Sequence, residues 1–440
     1  MLEALCPSPK GSRLFLRWVD VVTSVLRTIA VDLTPVLPGG ENGGAKIFVL
    51  ELLRRLAHNA PDVQFILLTH VDSHEELAEM DRTNMSRHLT VGQTSGRSLF
   101  ERARLTFHKC LAYLPGRVRN VALRVAYALL SRARRQVHGS LLHTMGADLL
   151  FCPFSSPGYS EAGIPVVCTL YDLQYKAYPE FFTPEEVANR DRTFTEACRK
   201  ATMLVAISDH TRNVAMAHGH IDPVRIQTSL LRMAHRIAPD RSRGPEVLAG
   251  LGIEPQRYFV YPANFWKHKN HEMLLAAFGL AANQGLQEDM KLVCTGAPSP
   301  RQEWLARAAK AMGLERRVLF PGYLSNADLG CVLAHSRGML FPSLYEGFGL
   351  PVAEAMAAGV PVACSNATSL PEVAGDAAVL FDPRVPEEIA AAIKILTEDD
   401  CARARMIEAG LERAAEFADS DCMAREYWEF FQVAAGAGIT

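Results

Sequence analysis

The sequence predicts an α/β protein built from two Rossmann-like, doubly wound parallel-sheet domains that face each other across a cleft. Strand-like and helix-like runs alternate in two separate series, the pattern of parallel sheets joined by crossover helices. A stretch rich in Pro and Gly divides the series. The length agrees, since 440 residues exceed one ordinary domain of about 100–200 residues.

In the first series Thr28–Leu33 reads as a strand and Ile47–Leu56 as the helix after it. Val63–Leu68, Ala147–Phe151, Val166–Leu170 and Leu204–Ile207 continue the strands. Residues Arg236–Arg257 hold Pro239, Gly244, Pro245, Gly250, Gly252 and Pro255, which reads as a hinge or connecting loop. In the second series the strands are Tyr258–Tyr261, Leu292–Thr295, Val318–Phe320, Gly338–Phe341, Val360–Cys364 and Ala378–Phe381. Helices Glu272–Ala282, Gln302–Ala311 and Pro351–Ala358 lie between them, and Cys401–Ala434 reads as helical. The expected division is an N-terminal extension (1–27), a first domain (28–240), a second (241–415), and a terminal helix (416–440) packing back on the first domain.

Hydrophobic residues make up 49% and charged residues 21%, an ordinary globular balance, and the net charge of −2 does not point to nucleic acid. The ten cysteines are scattered without C-x-x-C or zinc spacing, which fits free thiols in a reducing cytoplasm. Residues Leu14–Leu26 carry Arg17 and Asp20, so they read as an amphipathic extension rather than a spanning helix or signal peptide. Residues 97–135 hold ten Lys or Arg against one acid, Glu101, a local charge of +9 with apolar residues at helical spacing. This stretch is either a solvated helix pair or a contact with anionic lipid head groups or a phosphorylated acceptor. The second reading makes the protein peripheral on the inner face of the cytoplasmic membrane.

Chemistry concentrates in the second half. Ser343-Leu-Tyr-Glu-Gly-Phe-Gly-Leu-Pro-Val-Ala-Glu354 follows an apolar strand, and its Gly-rich loop leads into a helix with Pro351 in the first turn. The free N–H groups of Gly349, Leu350 and their neighbours can hold an anion, helped by the helix dipole. Gly347 and Gly349 let a ligand approach the backbone. Glu354, one turn inside, can accept hydrogen bonds from ribose hydroxyls, and Glu346 lies within reach of a sugar. Farther back, Lys269 in Asn264-Phe-Trp-Lys267-His-Lys269-Asn-His271 stands ahead of a helix, placed to neutralise a diphosphate leaving group. The loop Pro38-Gly-Gly-Glu-Asn-Gly43-Gly44 matches no register of G-x-G-x-x-G, so a dinucleotide cofactor is not supported. Tyr171 and Asp172 end another strand; the tyrosine is a hydrogen-bond donor and no base at neutral pH, and the aspartate caps the strand end or pairs with a cation. Asp419-Ser420-Asp421 lies in a helical stretch and reads as a turn or cap rather than a metal site.

Glu346 and Glu354 are separated by seven residues, and this E-x7-E with Gly-Phe-Gly-Leu-Pro inside it resembles family 4 of the retaining GT-B glycosyltransferases. The resemblance covers most of Thr28–Phe431 and is most specific in the last two hundred residues. It implies that Glu346 contacts the donor sugar, that Phe348, Gly349 and Leu350 contact sugar and diphosphate, and that Glu354 contacts ribose. It implies a diphosphate contact for Lys269, where many members have an arginine five positions earlier and this chain has Asn264; Lys267 or His268 compensates. The segment Thr169–Gln174 followed by Tyr178-Pro-Glu-Phe-Phe is similar to the family's H-D-L and P-E-F-F, with Tyr171 at the histidine position. Ser208 and Thr211 fit its S-x-x-T/S, and Gly43 and Gly44 fit a glycine loop beside donor and acceptor. The expectation is retaining transfer of a hexose, mannose first, from a GDP- or UDP-sugar to a carbohydrate or lipid-linked acceptor. No metal and no other cofactor are expected, and the leaving phosphate takes the acceptor's proton. A sugar-nucleotide epimerase or phosphorylase on the same plan, or a nucleotide-sugar-binding protein without catalysis, are the alternatives.

Overall fold

The computed structural model describes residues 26–39, 42–91 and 140–437. The basic stretch 97–135 and residues 1–25 of the N-terminal extension lie outside them. Thirteen strands are named in chain order among the described residues: β1 (Thr28–Asp32), β2 (Gln64–His70), β3 (Met85–Val91), β4 (Leu149–Cys152), β5 (Val166–Leu170), β6 (Met203–Ala206), β7 (Ile226–Thr228), β8 (Tyr258–Pro262), β9 (Lys291–Thr295), β10 (Val318–Gly322), β11 (Gly338–Phe341), β12 (Val362–Ser365) and β13 (Ala378–Phe381).

They form one seven-stranded sheet, ordered β3-β2-β1-β4-β5-β6-β7, and one six-stranded sheet, ordered β10-β9-β8-β11-β12-β13. The strand pairs are parallel. Central strands such as β4, β5, β11 and β12 are buried along their whole length. Both faces are therefore covered, which is why these strands are continuous apolar runs rather than alternating ones. The helix Gly43–Asn59 presents Phe48, Val49, Leu52, Leu53 and Leu56 inward, and Pro386–Glu398 presents Ile389, Ile393 and Leu396. These are the spacings of a single helical face.

The chain divides into two compact units. One includes Thr169–Cys198 and Leu204–Tyr427, and with them the whole six-stranded sheet. The other includes β1 to β4.

Three sequence expectations change. Arg236–Arg257 is not merely a loop, because it contains the helix Gly244–Leu251. Pro245 sits in its first turn, where no N–H is needed, and Gly252 ends it in the left-handed conformation (φ +64°). The residues that read as breakers are its caps. Strands β3 and β7 are additional; each lies at a sheet edge, β3 with a half-exposed polar sequence and β7 only three residues long. The terminal helical stretch is two helices, Asp400–Ala415 and Ser420–Ala437. Asp419 caps the second through Oδ1, which accepts from Cys422 N at 2.8 Å.

Asn270 ties the ends of the six-stranded sheet together. It adopts the left-handed conformation (φ +58°), and its buried Nδ2 donates to Pro342 O at 3.0 Å and Pro383 O at 2.7 Å. Asn270→Ala should lower the stability measured by urea unfolding by roughly 2–4 kcal/mol, since two buried carbonyls lose their donor and alanine resists this backbone. Asn270→Gly should recover only the backbone share, about 1 kcal/mol. Equal losses in the two variants would contradict that division.

Candidate functional site

In an open parallel sheet, ligands bind beyond the carboxyl ends of the strands, where the strand order reverses. In the six-stranded sheet that point lies between β8 and β11, which pair through Gly338–Phe259 and Met339–Val260. The Lys269 segment leaves the end of β8, and the Glu346 segment leaves the end of β11. The two strongest sequence motifs, 77 residues apart, therefore meet for a topological reason.

Hydroxyl and amide side chains hold the Glu346 loop. Leu344 N donates to His268 O at 2.7 Å, and Tyr261 Oη donates to Lys269 O at 2.7 Å. Glu346 N donates to Thr368 Oγ1 at 3.0 Å, and Ser369 Oγ lies 3.0 Å from Glu346 O and 2.9 Å from Phe348 O. Gly349 adopts φ +101° and caps the helix Leu350–Ala357, with Pro351 in its first turn. An added Cβ at Gly349 would stand 2.5 Å from Leu370 Cδ2. Phe348 is buried, its ring edge-on to Phe417 at 5.5 Å, so it contributes backbone rather than side chain to the loop's open face.

Across this loop Lys269 Nζ meets Glu346 Oε1 at 2.6 Å, with both side chains 12% exposed. The ammonium also lies 5.5 Å from the Phe341 ring centre. Two imidazoles flank it. Burial, reinforced by the Lys269 charge, pushes His268 down to about 4 and His271 to about 3, so both are neutral near pH 7. His271 packs against Tyr261 and Phe265 at 4.7 and 4.9 Å. The two imidazoles therefore add no positive charge beside Lys269, while Lys267 is exposed at the start of the same turn.

Tyr171 and Asp172 lie against the same loop, inside the same compact unit. A Cβ at Gly347 would stand 2.0 Å from Tyr171 O and 3.3 Å from Asp172 Cβ, so only glycine permits this approach. Ser208 Oγ donates to Gly347 O at 2.6 Å, and Thr211 Oγ1 lies 3.3 Å from Gly347 O and 3.2 Å from Tyr171 O. Ser208 also caps the helix Asp209–Gly219 by accepting from Thr211 N. The Ser208 and Thr211 pair thus works as a helix cap whose hydroxyls grip the glycine carbonyl. Burial raises the Tyr171 phenol well above its ordinary value, and Tyr427 adds to the shift, so Tyr171 stays protonated. Crowding by protein raises the Asp172 carboxyl, Gln174 N–H and Arg190 oppose the rise, Glu346 adds to it and Lys269 opposes it. Part of Asp172 remains open to solvent, which tempers the shift.

Glu354 is buried one turn into its helix, where Arg236 Nε donates to its Oε1 at 2.6 Å. Burial pushes the carboxyl up to about 7 against the opposing pull of Arg236. Sequence reading missed Arg236, an isolated arginine 118 residues away in a stretch read as a connector. Asn264, at the arginine position of the resembled family, accepts from Ala297 N at 2.9 Å and so fixes the loop after β9. Gly43 and Gly44 open the helix Gly43–Asn59 in the other unit, and a Cβ at either meets nothing within 4 Å. Lys46, also missed, closes that glycine turn by donating to Leu37 O, Gly39 O and Glu76 Oε1 at 3.1, 2.9 and 2.6 Å.

Residues 247–413 match the family model described as Glycosyl transferases group 1. The O-antigen chain mannosyltransferase B of Escherichia coli is 31% identical over 260 residues, 58% of this chain and 67% of that protein. The serotype-specific mannosyltransferase WbdA of Escherichia coli is 33% identical over 165 residues, 37% of this chain and only 20% of that protein. Among solved structures, Anabaena Alr3699/HepE in complex with UDP and glucose superposes with a TM-score of 0.66 at 17% identity, covering 92% of this chain and 99% of that one. The likeness at that identity concerns the fold, which is GT-B.

Gly347→Ala must push the loop off the Tyr171 carbonyl, and should cost roughly 1–3 kcal/mol of stability as other overpacked sites do. An unchanged melting temperature would contradict the close approach. The Glu354 carboxyl is raised on folding, so its stabilising contribution is full below about pH 4.5 and is lost as pH rises through about 7. Wild type should therefore lose stability relative to Glu354→Gln across that window, by at most about 1.4 kcal/mol per pH unit. Parallel stability curves for the two proteins would contradict the raised value.

Proposed function

The chain belongs to the group 1 glycosyl transferases, and on that premise we propose that it transfers a mannosyl group, with retention at the anomeric carbon, from a nucleotide-diphosphate sugar to a carbohydrate or lipid-linked acceptor. The Lys269–Glu346 pair at the switch point is the observation that carries this reading. A cation and an acid held 2.6 Å apart, three residues before a glycine-capped helix start, suit a sugar joined to a diphosphate. Mannose is supported by the relatives' activities, and GDP is the first choice of nucleotide over UDP.

In the proposed reaction the bond between the anomeric carbon and the phosphate oxygen breaks, and the electron pair leaves with the diphosphate. Lys269 and the N–H groups of Gly349 and Leu350 stabilise that charge, a role that needs no metal ion. Glu346, displaced from Lys269 by the diphosphate, orients the sugar, and Glu354 takes the ribose hydroxyls. The acceptor hydroxyl oxygen bonds to the anomeric carbon on the face the phosphate leaves, and its proton passes to a leaving phosphate oxygen. Tyr171, kept protonated by burial, serves as a neighbour and not as the base. Cys152, Cys294 and Cys364 are buried free thiols, whereas Cys422 is disulfide-bonded, which departs from the expectation of free thiols throughout. Among the described residues no helix is long and apolar enough to cross a membrane.

Thermal stabilisation by GDP-, UDP-, ADP- and TDP-sugars, in EDTA and in Mg2+, tests the donor site. The expected result is a shift with GDP-mannose that survives EDTA and disappears in Glu354→Ala. No shift with any nucleotide sugar would overturn the assignment. Donor hydrolysis without acceptor separates a transferase from a protein that only binds the donor.

A further inference from the structure

Glu354 is nearly enclosed, its side chain only 3% exposed, so its carboxylate needs a fixed partner to remain ionised there. Arg236 is that partner, and its guanidinium is fixed from two directions. Nε donates to Glu354 Oε1 at 2.6 Å and Nη1 donates to Asn326 Oδ1 at 3.0 Å. Asn326 begins the helix Asn326–His335, which Ser325 caps by accepting from Asp328 N. The short turn Ala234–Arg236 is held in turn, with Ala234 N donating to Phe417 O at 2.9 Å and Arg236 N to Met233 O at 3.0 Å. The chain just after it presses on the same helix, since a Cβ at Gly330 would stand 2.1 Å from Ala238 O.

The pairing is also one-sided. Arg236 takes Oε1, and Oε2 accepts no hydrogen bond from the described residues. A carboxylate gripped at one oxygen, with the other left over, is arranged to accept a hydroxyl. We propose that Arg236 is a positioning residue of the donor site: it orients Glu354 so that Oε2 takes the ribose hydroxyls of the nucleotide sugar. This rests on the reading that Glu354 holds ribose. A lysine could reach Glu354 or Asn326 but lacks the planar fork that spans both. Among the described residues Arg236 is the one charged group that acts appreciably on Glu354, whose carboxyl stands near 7 even with that help. Without the arginine the carboxyl rises further and is protonated at neutral pH.

The experiment is isothermal titration of GDP-mannose into wild type, Arg236→Met, Arg236→Lys, Asn326→Ala and Glu354→Ala, from pH 6 to 9, with a ligand-free melting curve for each. Donor hydrolysis kinetics accompany it. Arg236→Met should bind at least ten-fold more weakly at pH 7 and raise KM with kcat little changed. Its affinity should recover towards alkaline pH, a response that loss of packing alone does not give. Arg236→Lys should fall between, and Asn326→Ala should show a smaller loss of the same kind. Binding lost in Glu354→Ala but intact in folded Arg236→Met overturns the role of Arg236 alone. So does a pH-independent loss shared by Arg236→Met and Arg236→Lys. Wild type that binds no nucleotide sugar overturns both this role and the donor-site reading.

Discussion

The backbone of Gly347 is pressed against the Tyr171 carbonyl so closely that a single methyl would stand 2.0 Å from it, and the organisation of the site depends on that approach. Hydroxyls from Ser208 and Thr211 lock the glycine carbonyl, while Thr368 and Ser369 hold the residues on either side. The loop that presents Glu346 and the start of the helix Leu350–Ala357 is therefore fixed by four side chains from two separate segments. Preorganisation of this kind lets backbone N–H groups face an anion without first being rearranged, which is where an electrostatic site derives its strength.

Charge is arranged with the same economy. Lys269 and Glu346 neutralise each other, as do Arg236 and Glu354, while His268 and His271 are kept uncharged by burial. Ion pairs out of water contribute little net stability by themselves, because desolvation offsets their attraction. Their value at this point of the sheet is positional. On the proposed reading, each pair holds a carboxylate next to the place where a sugar or its ribose is recognised.

Much of this was legible in the sequence because it rests on local pattern. Fully buried parallel strands are continuous apolar runs, so β5 and β11 coincide with the segments read from the sequence. The strand, glycine loop and proline of residues 338–351 gave the helix start for the same reason. Where the signal was weak or non-local, reading failed. Edge strands β3 and β7 are too polar or too short to announce themselves, and Pro245 and Gly252 look alike as breakers or as caps. Arg236 and Lys46 act through contacts 118 and 30 residues away, which no spacing rule reaches. Asn264 stood in the right loop, but its role as an anchor for Ala297 follows only from β8 and β9 being neighbours.

The central claim is that the end of β11 and the end of β8 together form a diphosphate site. The structure of the protein with GDP bound tests it most directly. The account predicts the β-phosphate on the N–H groups of Gly349 and Leu350, with Lys269 Nζ turned from Glu346 towards it. A nucleotide bound elsewhere, with the Lys269–Glu346 pair still closed at 2.6 Å, would contradict it.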